Sequence, residues 1–86
     1  MDINQLSEIV KKKILKNKII EGVELHDKSF LHESHKTNNP NKFHIKLIIK
    51  SKTLKNMSRI ESNKFIFRVL DVEIKKYIHS LQILFI

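Results

Sequence analysis

The sequence predicts a small α+β protein in which helices cover one face of a three-stranded mixed sheet. A period-two pattern of apolar residues at 43–50 predicts one strand, and helical periodicity on both sides of it predicts amphipathic helices. Of the 86 residues, 41% are hydrophobic, which is enough to build one modest core. We therefore expect a single domain over residues 1–86.

The chain begins with a predicted amphipathic helix over roughly 3–16. Its apolar residues recur at helical spacing, at Ile3, Leu6, Val10 and Ile14, with Ile9 beside them. A short half-buried strand is predicted after Gly22, because two apolar residues alternate there with two polar ones. These are Val23, Glu24, Leu25 and His26.

Residues 32–41 are polar, include the only proline and predict a loop. The strand after it, at 43–50, has the clearest pattern in the chain. Its apolar face consists of Phe43, Ile45, Leu47 and Ile49, and its polar face of His44, Lys46 and Lys50. Ile48 is the single exception to the alternation.

Ser58 and Glu61 have the spacing of a capping box, which predicts a helix that runs from there to about Lys76. We expect this helix to bury Phe67, Leu70 and Ile74, with Phe65, Val69 and Val72 widening the apolar stripe. A short helical turn is expected before it, around 54–57. The apolar, β-branched run at 78–86 predicts a last strand.

The predicted order of elements is helix, strand, strand, helix, helix, strand. A long helical crossover between the second and third strands favours a parallel relation between them. This is the order of a class II KH-like α+β fold.

The net charge of the chain indicates which classes of partner it favours. A formal net charge of +8 favours nucleic acid, an anionic surface or an acidic protein. However, only Arg59 and Arg68 of the 17 basic residues are arginines, and specific phosphate readout favours arginine. A solvated coat of lysines explains the same composition. We expect no membrane partner, and a cytoplasmic or nuclear protein rather than a mitochondrial one, because no leader pattern opens the sequence.

The residues that could carry chemistry are few. There is no cysteine, so no thiolate nucleophile or sulfur-based metal site exists within the chain. One glycine cannot form a nucleotide-binding loop, and no nucleophile–base arrangement stands out, so we expect no enzyme activity. The candidates that remain are the five histidines, His26, His32, His35, His44 and His79.

Taken alone, each histidine also has a structural interpretation. His32 and His35 lie three apart in the predicted loop, a spacing that can hold a metal but that often arises by chance. His79 begins the last strand in phase with Leu81, Ile83 and Phe85, where a histidine is usually a satisfied structural group.

Three segments, taken in order, resemble the motifs of the BolA-like protein family. Asp27 to His32 resembles the family's D-x-S-x-x-H at the end of the first strand. His44 to Ser51 is similar to its second-strand signature, and Ile78-His79-Ser80-Leu81 to its V/I-H-A-L motif, with Ser80 in place of alanine. The resemblance covers nearly the whole chain and implies the same class II KH-like fold.

The resemblance also implies a function. BolA-like proteins pair with monothiol, CGFS-type glutaredoxins and share a [2Fe–2S] cluster with the glutaredoxin and glutathione, in iron–sulfur cluster trafficking or iron regulation. The family's principal ligand corresponds to His79, and its second ligand to His32, with His35 as the fallback. The isolated chain is expected to be a monomer without a cofactor of its own.

Two other functions stay open on the sequence. The first is a KH-like nucleic-acid-binding or transcription-regulating module, for which Lys64, Arg68 and Arg59 are the candidate contacts, although the GxxG loop of RNA-binding KH domains is absent. The second is a plain interaction domain whose histidines are structural.

Overall fold

The computed structural model describes residues 1–29 and 42–86. Its elements are α1 (Ile3–Leu15), β1 (Gly22–Asp27), β2 (Phe43–Lys50), α2 (Lys52–Asn56), α3 (Arg59–Val69), α4 (Asp71–Lys76) and β3 (Ile78–Phe85). This order confirms the predicted α+β fold with a three-stranded mixed sheet. The predicted loop at 32–41 lies outside the described residues.

Helix α1 forms where the periodicity predicts it. Asp2 caps its first turn: the Asp2 carboxylate accepts the backbone N–H of Gln5 at 2.8 Å, and the Gln5 side chain accepts the Asp2 N–H at 3.2 Å. Leu6, Val10 and Ile14 are fully buried, so the apolar stripe of the helix faces the core.

The sheet has the strand order β1-β2-β3. β1 pairs antiparallel with β2, and β2 pairs parallel with β3, as the helical crossover predicts. β2 is therefore the central strand, and its alternation is confirmed, because Ile45, Leu47 and Ile49 are each at most 1% exposed. Each of these side chains contributes roughly 1.5–3 kcal/mol by burial.

The expected single helix to Lys76 is two helices in the structure. The backbone leaves helical geometry at Leu70 (φ −102°, ψ 22°), where α3 ends and α4 begins. The start at Ser58 is confirmed, since the Ser58 hydroxyl accepts the Glu61 N–H at 3.2 Å.

The expected buried face of this region is wrong in two places. Phe67 and Val72 are 43% and 48% exposed, whereas Ile66 is fully buried. Leu70 is buried and Ile74 packs at the edge of the core, as expected. Within α3 the buried face therefore runs through Ser62, Ile66 and Leu70 and does not include Phe67.

An ion pair connects α1 with α4. The Lys13 ammonium donates to both carboxylate oxygens of Glu73, at 2.9 and 2.7 Å. Glu73 is 4% exposed, so this pair links α1 to α4 at the border of the core.

Across the described ranges, no helix has both the length and the apolar character needed to cross a membrane.

Candidate functional site

Strand β3 begins with a β-bulge at His79. Phe43 of β2 pairs with Ile78, but His44, the next residue of β2, pairs with Ser80. β3 therefore has one residue more than β2 at this point, and that residue is His79. Bulges of this kind change the direction of a side chain, and His79 is exposed to solvent.

Because of the bulge, His79 does not lie where the sequence pattern predicts. The sequence pattern places His79 in phase with Leu81 and the apolar residues that follow it. In the structure Ile78, only 4% exposed, takes the core position, and the extra residue restores the inward phase at Leu81. His79 therefore lies on the surface rather than at the edge of the core.

His44 lies beside it and is buried. The sequence pattern places His44 on the polar face of β2, which predicts an exposed side chain, yet only 7% of His44 is exposed. Its Nδ1 lies 2.7 Å from the hydroxyl oxygen of Ser80, and the imidazole tautomer decides which of the two groups donates. The His44 backbone N–H donates to the Ser29 hydroxyl at 3.0 Å, and its carbonyl accepts the Lys28 N–H at 2.7 Å. Both the ring and the backbone of His44 are therefore held in place.

The rings of His44 and His79 contact each other. Their centroids are 4.7 Å apart and their planes are inclined by 52°. One imidazole is thus presented to solvent, while a second, fixed by a hydrogen bond, packs against it. An exposed imidazole is a good ligand for iron or zinc, and a group that restricts its rotation raises its effectiveness as a ligand.

Sequence reasoning missed His44 and Ser80 as parts of this arrangement. Ser80 occupies the position at which the motif of the similar family has alanine. This hydroxyl was the one feature of the sequence that could have indicated a hydrogen-bond partner for a nearby histidine. The pairing of His44 with Ser80 connects residues 36 positions apart, so local patterns do not show it.

The other predicted ligands lie elsewhere. His32 and His35 fall outside the described residues. His26 is exposed on β1, with Nε2 3.4 Å from a carboxylate oxygen of Glu24. Within 1–29 and 42–86 there is no group of three or more His, Asp or Glu side chains placed to hold a metal ion.

The predicted nucleic-acid contacts are all on α3. Arg59, Lys64 and Arg68 are exposed. Lys64 and Arg68 line one shallow depression together with Glu61, whose carboxylate lowers the positive charge there. Arg59 lies in a separate groove that α3 forms with β3.

Comparisons with known proteins agree with this architecture. The family model described as BolA-like protein matches residues 15–85. The BolA domain of SufE1 from Arabidopsis thaliana is similar in structure, with a TM-score of 0.79, 23% sequence identity, and coverage of 98% of this chain and 93% of that one. BolA1 from Arabidopsis thaliana is also similar, with a TM-score of 0.74, 21% identity, and coverage of 92% and 87%. No curated protein matches the chain by sequence.

Proposed function

Since the chain belongs to the BolA-like protein family, we propose that it is an adaptor that binds a monothiol, CGFS-type glutaredoxin and shares a glutathione-ligated [2Fe–2S] cluster with it. BolA proteins are adaptors, and the family is generally non-enzymatic. The observation on which the proposal depends is the bulge at His79, which gives the motif histidine an exposed position next to a fixed neighbour.

The donor atoms of the chain fit one part of such a cluster. The chain offers imidazole and no thiolate, so the thiolates come from the glutaredoxin and glutathione. When bound, the cluster supplies the redox and iron-transfer chemistry, and histidine in place of cysteine on one iron raises its reduction potential. A partner can reach His79 because this residue is on the surface.

Each residue of the site has a separate role in this proposal. His79 is the ligand, and His44, fixed by Ser80, limits the rotation of the His79 ring. His32 is the proposed second ligand, with His35 as the fallback. The pair His79 and His32 would share one iron, as two histidines do in Rieske-type centres.

Visible circular dichroism tests the proposal directly. The chain is mixed with a cluster-loaded CGFS-type glutaredoxin and glutathione, and we expect a new spectrum at one-to-one stoichiometry. His79→Ala should abolish or alter this spectrum and its electron-spin-resonance signal. His26→Ala is the matched control, because His26 is also exposed but lies on the far strand of the sheet.

The possible results separate the two parts of the proposal. No new spectrum with the wild-type chain would reject cluster sharing with this partner. A new spectrum that His79→Ala leaves unchanged would retain cluster sharing and reject His79 as the ligand. Replacing His32 and His35 singly, in the same assay, identifies the second ligand.

The exposed cations of α3 favour one alternative, a KH-like nucleic-acid-binding function. Lys64 and Arg68 are exposed one turn apart on α3, where both can contact phosphates, whereas Arg59 lies in the separate groove that α3 forms with β3. The charge of +8 adds a general attraction to nucleic acid.

A further inference from the structure

Strand β3 is an edge of the sheet, and within 1–29 and 42–86 the part of it that follows the bulge has little protection against pairing. Proteins protect edge strands with lysine, proline, β-bulges or very short strands. β3 spans eight residues, its bulge at His79 interrupts only its start, and 80–85 contain no charged residue and no proline. By contrast, the other edge strand, β1, contains Glu24 and Asp27.

The backbone of β3 presents hydrogen-bonding groups at this edge. Both backbone groups of Ile86 are directed toward β2. The Ile86 N–H donates to the Ile49 carbonyl at 2.9 Å, and the Ile86 carbonyl accepts the N–H of Ser51, the residue after β2, at 3.2 Å. Alternate residues of a strand point their backbone groups in opposite directions. The backbone groups of 81, 83 and 85 are therefore directed away from β2, and in the part of the chain that the structure describes no strand lies beyond them.

A groove of about 430 Å³ runs along this edge, between β3 and α3. On the helix side it is lined by Arg59, Asn63 and Phe67, and on the sheet side by 81–84 together with Lys46 of β2. Two large apolar side chains are partly exposed along it, because Phe67 is 43% and Leu84 44% accessible. The groove thus combines a strand edge that pairs with no other described strand beyond β2 and apolar contacts on both sides.

The charge of the groove has one sign. Lys46 and Arg59 line it, and a second depression continues it toward Phe85, with Lys55 added. Among the described residues that line the two, none is acidic. An occupant that carries carboxylates would therefore gain attraction from every charge present.

We propose that this groove binds an extended segment of a partner protein, in which acidic residues alternate with apolar ones, as a fourth strand paired with β3. Addition of a strand to a sheet edge provides affinity through backbone hydrogen bonds and specificity through alternate side chains. The acidic side chains would all lie on one face of the added strand, the one toward Arg59, and the apolar ones on the other, beside Leu84.

Two other occupants fit less well. A second copy of the chain would bring the same cations and two net charges of +8 together. A nucleic acid would find phosphate partners in Arg59 and Lys46, but it leaves the amide donors and carbonyl acceptors of a strand edge without the regular partners that a peptide supplies.

The groove is separate from the proposed cluster site. His79 is at the bulge, before the regular part of β3, and it does not line the groove. The inference therefore stands independently of cluster sharing, and its experiment requires neither iron nor a glutaredoxin.

The test uses a capped peptide of about eight residues that alternates glutamate and valine, a length that matches a typical strand. Amide exchange is followed by NMR on the intact chain. We expect saturable binding that slows exchange at Leu81, Ile83 and Phe85. Arg59→Glu should weaken binding about tenfold, whereas Arg68→Glu, on the same helix but outside the groove, should change it much less.

Two control peptides test the mode of binding. A peptide with lysine in place of glutamate should not bind, and a peptide N-methylated at alternate residues should lose binding because it cannot complete the ladder. Binding that N-methylation leaves intact would overturn strand addition, and so would absence of saturable binding to the acidic peptide. Protection of the same amides by rising protein concentration alone would assign the edge to a second copy, and tighter occupation of the groove by an oligonucleotide would assign it to nucleic acid.

Discussion

The imidazole ring of His44 packs against that of His79, with 4.7 Å between the ring centroids. His44 is buried and hydrogen-bonded to Ser80, whereas His79 is exposed at the bulge. An exposed side chain normally samples several rotamers, and a fixed neighbour reduces their number. The contact between the two rings therefore limits the orientations of the His79 ring, which would lower the entropic cost of binding the proposed partner.

Removal of the Ser80 hydroxyl should loosen this arrangement. In Ser80→Ala the His44 ring loses its 2.7 Å hydrogen bond, so we expect both histidine rings to become more mobile. The measurement is NMR of the imidazole ¹⁵N and ¹³C nuclei in the cluster-free chain. Assembly of the proposed mixed cluster should weaken by a few-fold, since ordering one side chain costs about 0.5–1.5 kcal/mol. Ser80→Thr keeps a hydroxyl and should restore the imidazole signals, and signals unchanged in Ser80→Ala would contradict a positioning role for His44.

Neighbouring residues of α3 should respond very differently to truncation. Ile66→Ala removes a fully buried side chain and should lower the free energy of unfolding by about 3 kcal/mol. Phe67→Ala should lower it by about 1 kcal/mol or less, although phenylalanine is larger, because Phe67 is 43% exposed. Urea unfolding followed by circular dichroism measures both, and equal losses would contradict the orientation of α3.

Replacement of Lys13 and replacement of Glu73 should lower the free energy of unfolding by different amounts. Lys13→Met leaves the buried Glu73 carboxylate without its cation, and we expect a loss of about 2 kcal/mol in unfolding free energy. Glu73→Gln should cost less, because the Lys13 side chain is 37% exposed and can turn toward water. The double variant should be more stable than Lys13→Met alone. A larger loss in Glu73→Gln than in Lys13→Met would show that burial of the carboxylate is not the dominant cost.

Binding to nucleic acid should be weak and unspecific. The lysine-rich charge of the chain predicts retention on DNA or RNA at low salt that is lost by about 0.2 M salt, without sequence preference. A salt series with two unrelated sequences provides the measurement. Retention at higher salt with a preference for one sequence, lost when Arg59, Lys64 and Arg68 are replaced by glutamine, would instead support the nucleic-acid-binding function.

Most of the fold was predictable because its signals are local. The alternation from Phe43 to Lys50 and the spacing of Leu6, Val10 and Ile14 each reflect one element and its buried face. The orientation of α3 was not predictable in the same way. Five of the six residues from Phe65 to Leu70 are apolar, so several faces fit, and the buried Ser62 and Glu73 obscure the true stripe.

The site was predictable only as a set of candidate residues. The motif made His79 a candidate ligand, which stays a prediction, but the bulge that exposes His79 depends on the register between β2 and β3. The burial of His44 depends on Ser80 and His79 across that register. Neither feature is encoded within one segment of the chain.

The parallel pairing of β2 with β3 also has a kinetic consequence. His44 and Ser80 are 36 positions apart, and α2, α3 and α4 lie between their strands. Contacts at this separation form slowly, after local helices have formed, because closure of a long loop costs entropy first. A partly folded chain therefore has the His79 side chain but not its fixed neighbour. The contact that limits the orientation of His79 therefore forms only when the parallel pairing of β2 with β3 is complete, late in folding.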